Sequence, residues 1–341
     1  MIPLLLWACH KPPAELPEQC ASAERYAVLT DDGATIVLHR HPGQGPPVLL
    51  VHGISANARS WDLTPDRSLA EYLAENGFDP WLLDMRGHGE ALVDAEGHRQ
   101  WGGWSMEDYA RRDLPAAIAF IREKTGAARV GYVGHSLGGM VGAIYAGTVE
   151  GGDESLFALV ALGSPLDFTD PDPLMDSALS MARIPMPVVP TELGAEMQAW
   201  LGPRDTPLDR TVDLLLINDI DPAVRPLLYR SVPAPMTSGE LKQLALALPA
   251  QSFVDPDGFF DYRATLADVH TPTLVIAGRA DQIAPVDRVM SYYNGVGSAE
   301  KRLIIAGRAS GFAADYGHLD LVMGDHARAE LYPEIAAWLQ R

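Results

Sequence analysis

A serine flanked by glycines is the side chain in this sequence best placed for covalent chemistry. The run Gly134-His135-Ser136-Leu137-Gly138 has the pattern Gly-x-Ser-x-Gly and follows the β-rich residues Arg129–Val133. A strand, a tight turn and a helix in this order would expose the Ser136 hydroxyl, because glycines avoid steric clashes in such a turn. The turn would also set Ser136 at the positive end of the following helix. We therefore expect Ser136 to attack a carbonyl carbon as a nucleophile.

A hydroxyl is a poor nucleophile at neutral pH and needs a base, and His318 is the histidine best placed to be one. It lies in a predicted loop just after the strand Arg302–Ala306, at the edge of the sheet where catalytic loops are found. His326 falls in the region of the last predicted helix, whereas His270 precedes a strand and so lies at the opposite edge. The histidines that precede the serine and fit surface or turn roles are His39, His41, His88 and His98.

A third residue must orient the imidazole and stabilise its charged form. Asp281 follows the predicted strand Thr273–Ala277 in another loop at the carboxyl edge of the sheet. We expect Asp281 to be this acid, although aspartate is also common as a helix N-cap or in Asx-turns. The alternative acids are Asp167 and Asp170, which follow the predicted strand Leu156–Leu162, and Asp320.

Acyl transfer also needs backbone N–H groups to stabilise the oxyanion. We expect one donor to be Leu137, directly after the nucleophile, and the other to be Ile54, in the loop after a predicted strand. Gly53 would let the backbone approach the substrate closely. The neighbouring His52 either stabilises this loop or is an ordinary core histidine.

The elements that would position these residues alternate between strands and helices. Two strands, Tyr26–Thr30 and Ala34–Arg40, surround the turn Asp32-Gly33. The predicted buried strands are Pro47–Val51, Asp79–Asp84, Arg129–Val133, Leu156–Leu162, Thr273–Ala277 and Arg302–Ala306, and the clearest helices are Arg67–Asn76, Met106–Thr125 and Gly138–Gly147. This order predicts an α/β fold with a mostly parallel, doubly wound sheet covered by helices on both faces.

One region departs from this alternation. Residues 165–261 are rich in proline and methionine, with an irregular helical pattern, and we interpret them as an inserted, mainly helical cap over a core made of residues 23–164 and 262–341. Within it, Phe259 and Phe260 are the predicted substrate-binding residues. Together with Trp200 and the methionines, they either line an acyl pocket or belong to ordinary cap packing.

Composition narrows the classes of partner. Asp and Glu number 45 against 26 Lys and Arg, a formal charge of -19, which disfavours binding to nucleic acid. The only cysteines, Cys9 and Cys20, lie near the N-terminus, so we expect neither a disulfide framework nor a cysteine-based metal site in the main body. No metal, organic cofactor or protein partner is predicted.

Residues 1–22 are predicted to be a loose tether. The run Leu6-Trp7-Ala8-Cys9 resembles a bacterial lipobox, so membrane anchoring through a lipidated Cys9 is one interpretation. No basic residue precedes the apolar run, and a short apolar N-terminus without consequence is the other interpretation. The expected location is accordingly the bacterial cell envelope or the cytoplasm.

Taken together, the motifs resemble those of the α/β-hydrolase superfamily over residues 48 to 320. They are Val51-His-Gly53, Asp84-Met-Arg86-Gly-His-Gly89, Gly134-His-Ser136-Leu-Gly-Gly139, Gly278-Arg-Ala-Asp281 and Gly317-His318. The later residues Asp315–Gly324 and Tyr332–Trp338 look like the acid-lipase and polyhydroxyalkanoate-synthase-like branch. That resemblance implies a lipase, esterase or acyltransferase acting on hydrophobic acyl groups. Ser136 stands where those synthases have cysteine, which argues for hydrolysis rather than polymer synthesis.

The sequence therefore predicts a serine hydrolase that cleaves carboxylic esters of apolar acyl groups, with a small ester or lipid as its substrate. An acyltransferase or thioesterase would use the same three residues, and haloperoxidase-like perhydrolysis is also compatible with them. A non-catalytic lipid-binding protein of the same fold is the alternative outside enzyme chemistry.

Overall fold

The computed structural model describes residues 24–100, 102–169, 188, 189, 191, 195 and 217–341. The predictions for the tether and Cys9, for Asp170 and Trp200, and for much of the cap fall outside these residues.

Eight strands form one sheet in the order β1-β2-β4-β3-β5-β6-β9-β10. Strands β1 and β2 are antiparallel, β2 pairs with β4 in the antiparallel sense, and the remaining pairs are parallel. The strands are β1 Glu24–Leu29, β2 Thr35–Arg40, β3 Pro47–Val51, β4 Asp79–Asp84, β5 Val130–His135, β6 Leu156–Leu162, β9 Thr273–Gly278 and β10 Lys301–Ala306. The predicted α/β fold with a mostly parallel sheet is confirmed, and β3, β4 and β6 have the predicted bounds.

Helices cover both faces of this sheet. They are α1 Leu69–Glu75, α2 Met106–Asp108, α3 Leu114–Thr125, α4 Leu137–Thr148, α5 Arg225–Ser231, α6 Ser238–Ala250, α7 Val286–Gly295, α8 Asp320–Met323, α9 Ala327–Glu330 and α10 Tyr332–Leu339. Alternate residues of β3 show the two layers, since Leu49 and Val51 belong to one buried cluster and Val48 and Leu50 to the other. None of the helices in the described part of the chain is long and apolar enough to span a membrane.

The predicted helix Met106–Thr125 is continuous but not uniform. Ser105 caps its first turn, α2, in a capping box with Asp108. The segment Tyr109–Asp113 is then wound as a π-helix before α3 begins. The helix ends at Gly126, which has φ 71°, a conformation that favours glycine.

The described part of the predicted cap is joined closely to the core. Its two short strands, β7 Val188–Val189 and β8 Met236–Thr237, pair in the antiparallel sense, and α6 follows β8 directly. Ala247 of α6 and the neighbouring Phe253 are buried in the same apolar cluster as Leu49 and Val51. The domain division at 165 and 261 remains a prediction.

Candidate active site

Ser136 occupies the sharp turn between β5 and α4. Its backbone has φ 52° and ψ −118°, a strained conformation for a residue with a side chain. The Ser136 N–H donates a hydrogen bond of 2.8 Å to the carbonyl of Leu162 at the end of β6. A Cβ at Gly134 or Gly138 would overlap neighbouring backbone, so the turn requires glycine at both positions, for the reason predicted from the sequence.

Asp281 and His318 form a buried pair on the loops that follow β9 and β10. The Nδ1 atom of His318 lies 2.7 Å from Oδ2 of Asp281. The other carboxylate oxygen accepts the backbone N–H groups of Ile283 at 2.9 Å and Ala284 at 2.8 Å. The carboxylate accepts a hydrogen bond from Nδ1, so this nitrogen carries the proton. The other ring nitrogen, Nε2, can therefore act as a base.

His135, the residue before the nucleophile, connects Ser136 to the loop that carries the base. Its Nε2 lies 3.0 Å from the carbonyl oxygen of His318, and the two imidazole ring centres are 4.6 Å apart. Burial, reinforced by nearby His318, holds the pKa of His135 well below its usual value, so the ring is neutral and donates from Nε2. His135 was missed in the sequence analysis, although it is the first x of Gly-x-Ser-x-Gly.

Gly163, immediately after β6, is a second residue that the sequence analysis did not identify. It has φ 55°, and a Cβ placed there would lie 3.2 Å from Oδ2 of Asp281 and 3.3 Å from Nδ1 of His318. The absence of a side chain at this position leaves room for the hydrogen bond between the acid and the base. The strand order places β6 between β5 and β9, which is why all these groups meet at one edge.

The predicted oxyanion loop is held by His52. Its Nδ1 lies 2.8 Å from the carbonyl oxygen of Gly53, and the N–H of Met85 donates to its Nε2 at 3.3 Å. Burial lowers the pKa of His52 to about 4, so the ring is neutral, with its proton on Nδ1. His52 is fully buried and also contacts this loop, so it fits both of the roles left open for it.

The orientation of the Ile54 N–H follows from that contact. The carbonyl of Gly53 and the N–H of Ile54 belong to one planar peptide unit, so fixing the carbonyl toward His52 points the N–H in the opposite direction. A Cβ on Gly53 would be 3.2 Å from Cβ of Ser136, which places the loop against the nucleophile. Leu137 is the first residue of α4, where backbone N–H groups have no partner within the helix. Leu137 thus follows Ser136 directly and Gly53 adjoins it, while the role of the Ile54 and Leu137 N–H groups as oxyanion donors remains a prediction.

The alternative acids and bases have other partners. Oδ2 of buried Asp320 accepts the N–H groups of Gly317 at 2.6 Å and Asn218 at 2.8 Å, and burial raises the pKa of Asp320 to about 6. Asp320 thus supports the loop that carries His318. Asp167 pairs with Arg263 at 3.2 Å. The histidine pairs are His39 with Asp84, His41 with Asp62, His88 with Glu240 and His326 with Asp219.

A buried polar cluster lies behind the oxyanion loop. The imidazole of His88 is 5.0 Å from that of His52 between ring centres, and its Nε2 is 3.4 Å from Oε1 of Glu240 on α6. Burial alone would lower the pKa of His88, but the carboxylate of Glu240 raises it above its usual value. This pair joins the predicted cap to the core.

Phe259 and Phe260 lie on a surface turn between Val254 and Asp261. Phe259 is 92% exposed and Phe260 is 46% exposed, so neither is enclosed in a pocket within the described structure. Their predicted role in substrate binding remains a prediction. Across the described residues, no group of three or more His, Cys, Asp or Glu side chains is arranged to hold a metal ion.

Residues 46–320 match the family model of the α/β hydrolase fold, and the chain belongs to that family. Similarity to individual relatives is more local. The chain is 39% identical over 134 residues to gastric triacylglycerol lipase of Homo sapiens, covering 36% of this chain and 34% of that protein. It is 40% identical over 128 residues to lipase member K of Homo sapiens, covering 34% and 32%. The matched segment thus spans about a third of each relative.

Solved structures match over nearly the full length. An esterase from Exiguobacterium antarcticum covers 92% of this chain and 99% of its own, with a TM-score of 0.62 and 18% identity. A thermophilic esterase from Thermogutta terrifontis covers 93% and 98%, with a TM-score of 0.60 and 19% identity. At these identities the likeness concerns the fold alone.

Proposed function

We propose that this protein is a serine hydrolase that cleaves carboxylic esters through an acyl-enzyme intermediate. The observation that carries the proposal is the buried pair of Asp281 and His318, 2.7 Å apart, beside the strained turn of Ser136. Family membership and local similarity to lipases agree with it.

The chemistry follows from the roles of these groups. His318 Nε2 accepts the proton of the Ser136 hydroxyl as its oxygen bonds to the ester carbonyl carbon. The N–H groups of Ile54 and Leu137 stabilise the resulting oxyanion, while Asp281 stabilises the imidazolium. His318 then gives the proton to the departing alcohol as the ester C–O bond breaks. Water, deprotonated by His318, releases the acid and restores the serine.

We further propose that the acyl group is apolar. The matched relatives include a triacylglycerol lipase, which acts on esters of this kind, although only a third of its length is shared. An acyltransferase or thioesterase would form the same acyl-enzyme and differ only in the acceptor. Competition between water, alcohols and thiols for the acyl-enzyme separates these activities.

A chain-length series of p-nitrophenyl esters tests the proposal. The wild-type protein should hydrolyse them, with an optimum longer than acetate, and Ser136→Ala should lower kcat by about 10⁴-fold or more. Ser291→Ala is the matched control, because its hydroxyl only donates to the Arg288 carbonyl of its own helix, and it should retain full activity. Activity that survives in Ser136→Ala would overturn the mechanism, and an optimum at acetate would overturn the apolar acyl group.

A further inference from the structure

Two adjacent phenylalanines are unusually exposed. The large apolar side chains with high exposure in the described part of the chain are Leu29 at 66%, Val93 at 39%, Phe259 at 92% and Phe260 at 46%. Exposed apolar residues that occur singly are ordinary, whereas here two consecutive aromatic side chains are exposed on one turn.

The turn that carries them is fixed by its own hydrogen bonds. Oδ1 of Asp255 accepts the N–H groups of Phe259 at 2.7 Å and Phe260 at 3.0 Å. The backbone of Asp255 also donates to the Phe260 carbonyl and accepts from the N–H of Gly258, both at 2.9 Å. Gly258 has φ 79°, which suits such a turn. The display of both rings is therefore a property of a preformed turn and not of a loose loop.

The turn is also attached to the catalytic edge of the sheet. The Phe260 ring centre is 5.3 Å from that of Tyr262, which is buried in the core. A bridge between Ser252 and Asp167 joins the base of the turn to the segment that follows β6. That segment begins at the edge of the sheet where Ser136 lies. The Ser136 N–H donates a hydrogen bond to the carbonyl of Leu162, at the end of β6.

The exposed area indicates what kind of surface these rings fit. Two phenylalanines at these exposures present on the order of 250 Å², whereas a stable protein interface buries about 800 Å² on each partner. A second copy or a folded partner would need much more contact than the turn offers. A lipid–water interface accepts single aromatic side chains without a matching surface.

The acidic residues of the turn indicate which lipid headgroups it could approach. The turn contains Asp255, Asp257 and Asp261 and no basic residue, and the chain has a formal charge of -19. Anionic lipid headgroups would repel such a turn, because they attract basic segments. We propose that Phe259 and Phe260 form a surface anchor that inserts into neutral or zwitterionic lipid interfaces. This inference goes beyond the proposed function, because adsorption requires no reaction at Ser136.

Sedimentation with phosphatidylcholine vesicles tests the anchor. The full chain is used with Ser136→Ala, so that no lipid is consumed, and with Cys9→Ser, so that no lipid on that residue contributes. We expect reversible partitioning that the added pair Phe259→Ser and Phe260→Ser weakens on the order of tenfold or more. Leu29→Ser, the matched control, should partition like its parent, and half-anionic phosphatidylglycerol vesicles should bind the parent more weakly.

Each contrary result is distinct. Equal partitioning with and without the two phenylalanines, or no binding by the parent, would overturn the anchor. A size-exclusion shift toward a dimer that the same pair abolishes would show that a second copy covers the turn. The same two substitutions are also made in a chain that keeps Ser136; loss of its soluble-ester turnover, with unchanged vesicle binding in the Ser136→Ala background, would assign the rings to the acyl pocket instead. Because binding is read without catalysis, failure of the proposed hydrolase activity would leave this measurement intact.

Discussion

The catalytic edge of the sheet and the described segment from β8 to Asp261 are fixed by different kinds of interaction. At the edge, the predicted acid is held by neighbouring backbone, since the N–H groups of Ile283 and Ala284, two and three residues along the chain, donate to Asp281. In the second segment, long side chains reach across to the core. Oε1 of Gln243 accepts the Met106 N–H at 2.9 Å, while its Nε2 donates to the Val254 carbonyl at 2.9 Å.

The two regions therefore depend on contacts that span different distances along the chain. The backbone partners of Asp281 lie within its own turn. Side-chain contacts such as that between Glu240 and His88 depend on one residue on each side. A single substitution on either side of such a contact would therefore loosen the second segment without changing the partners of Asp281.

Removing the acid or the base should give the largest effects on activity. Asp281→Asn would replace the acceptor of the His318 Nδ1–H and favour the wrong tautomer of the imidazole, so kcat should fall about 10⁴-fold. In His318→Ala, kcat should fall at least as far. Steady-state kinetics on a soluble ester measures both. His326→Ala, which loses a pair between a half-exposed imidazole and Asp219, should stay active, and equal losses in this control would argue against a specific role for His318.

Adding a methyl group at Gly163 should give the next largest loss of activity. In Gly163→Ala the new Cβ would press on the Asp281–His318 hydrogen bond and strain a backbone with φ 55°, so kcat should fall about 10²-fold. Gly151→Ala is the matched control, because its φ of 71° imposes similar strain with no atom within 4 Å. If the two variants lost activity equally, backbone strain rather than contact with the pair would explain the effect.

Breaking the buried pair between Glu240 on α6 and His88 of the core should lower the free energy of unfolding. Glu240→Ala leaves His88 without its carboxylate partner and the Thr237 N–H without its acceptor, in a site closed to solvent, so the free energy of unfolding should fall by about 3 kcal/mol. Urea denaturation measures it. Glu300→Ala, at an exposed position, should change little. An unchanged midpoint for Glu240→Ala would mean that the pair does not fasten α6.

A smaller effect should appear as pH dependence. The pKa of His52 is about 4 in the folded protein and about 6.5 in the unfolded chain. As the pH falls, His52 is therefore protonated in the unfolded chain first, which lowers the free energy of unfolding. Between pH 7 and pH 5 the stability advantage of wild type over His52→Asn should shrink by about 2 kcal/mol. Urea titrations at both pH values measure this difference. A constant advantage would contradict a neutral, buried His52.

Local patterns were sufficient to predict most of the sheet. Buried strands are short apolar runs bounded by turn residues, so β3, β4 and β6 were predicted with their observed bounds. The π-helical segment Tyr109–Asp113 was not predicted, because the residues around it favour an ordinary α-helix.

The site was predictable to the extent that strand ends specify it. The loops of Asp281 and His318 follow recognisable strands, and their side chains do lie 2.7 Å apart. His135 and Gly163 were missed because their roles depend on contacts with residues far along the chain, such as the carbonyl of His318. The pairing of Glu240 with His88 has the same long-range character, and no local pattern announces it.

Covalent labelling of Ser136 is the most direct test of the central claim, that Asp281 and His318 activate this hydroxyl. A fluorophosphonate is incubated with wild type and with His318→Ala, and the labelled peptide is identified by tandem mass spectrometry. We expect one phosphonyl group per chain on Ser136 in wild type, and little or none in His318→Ala over the same time. Label on another residue, or labelling of His318→Ala at the wild-type rate, would contradict it.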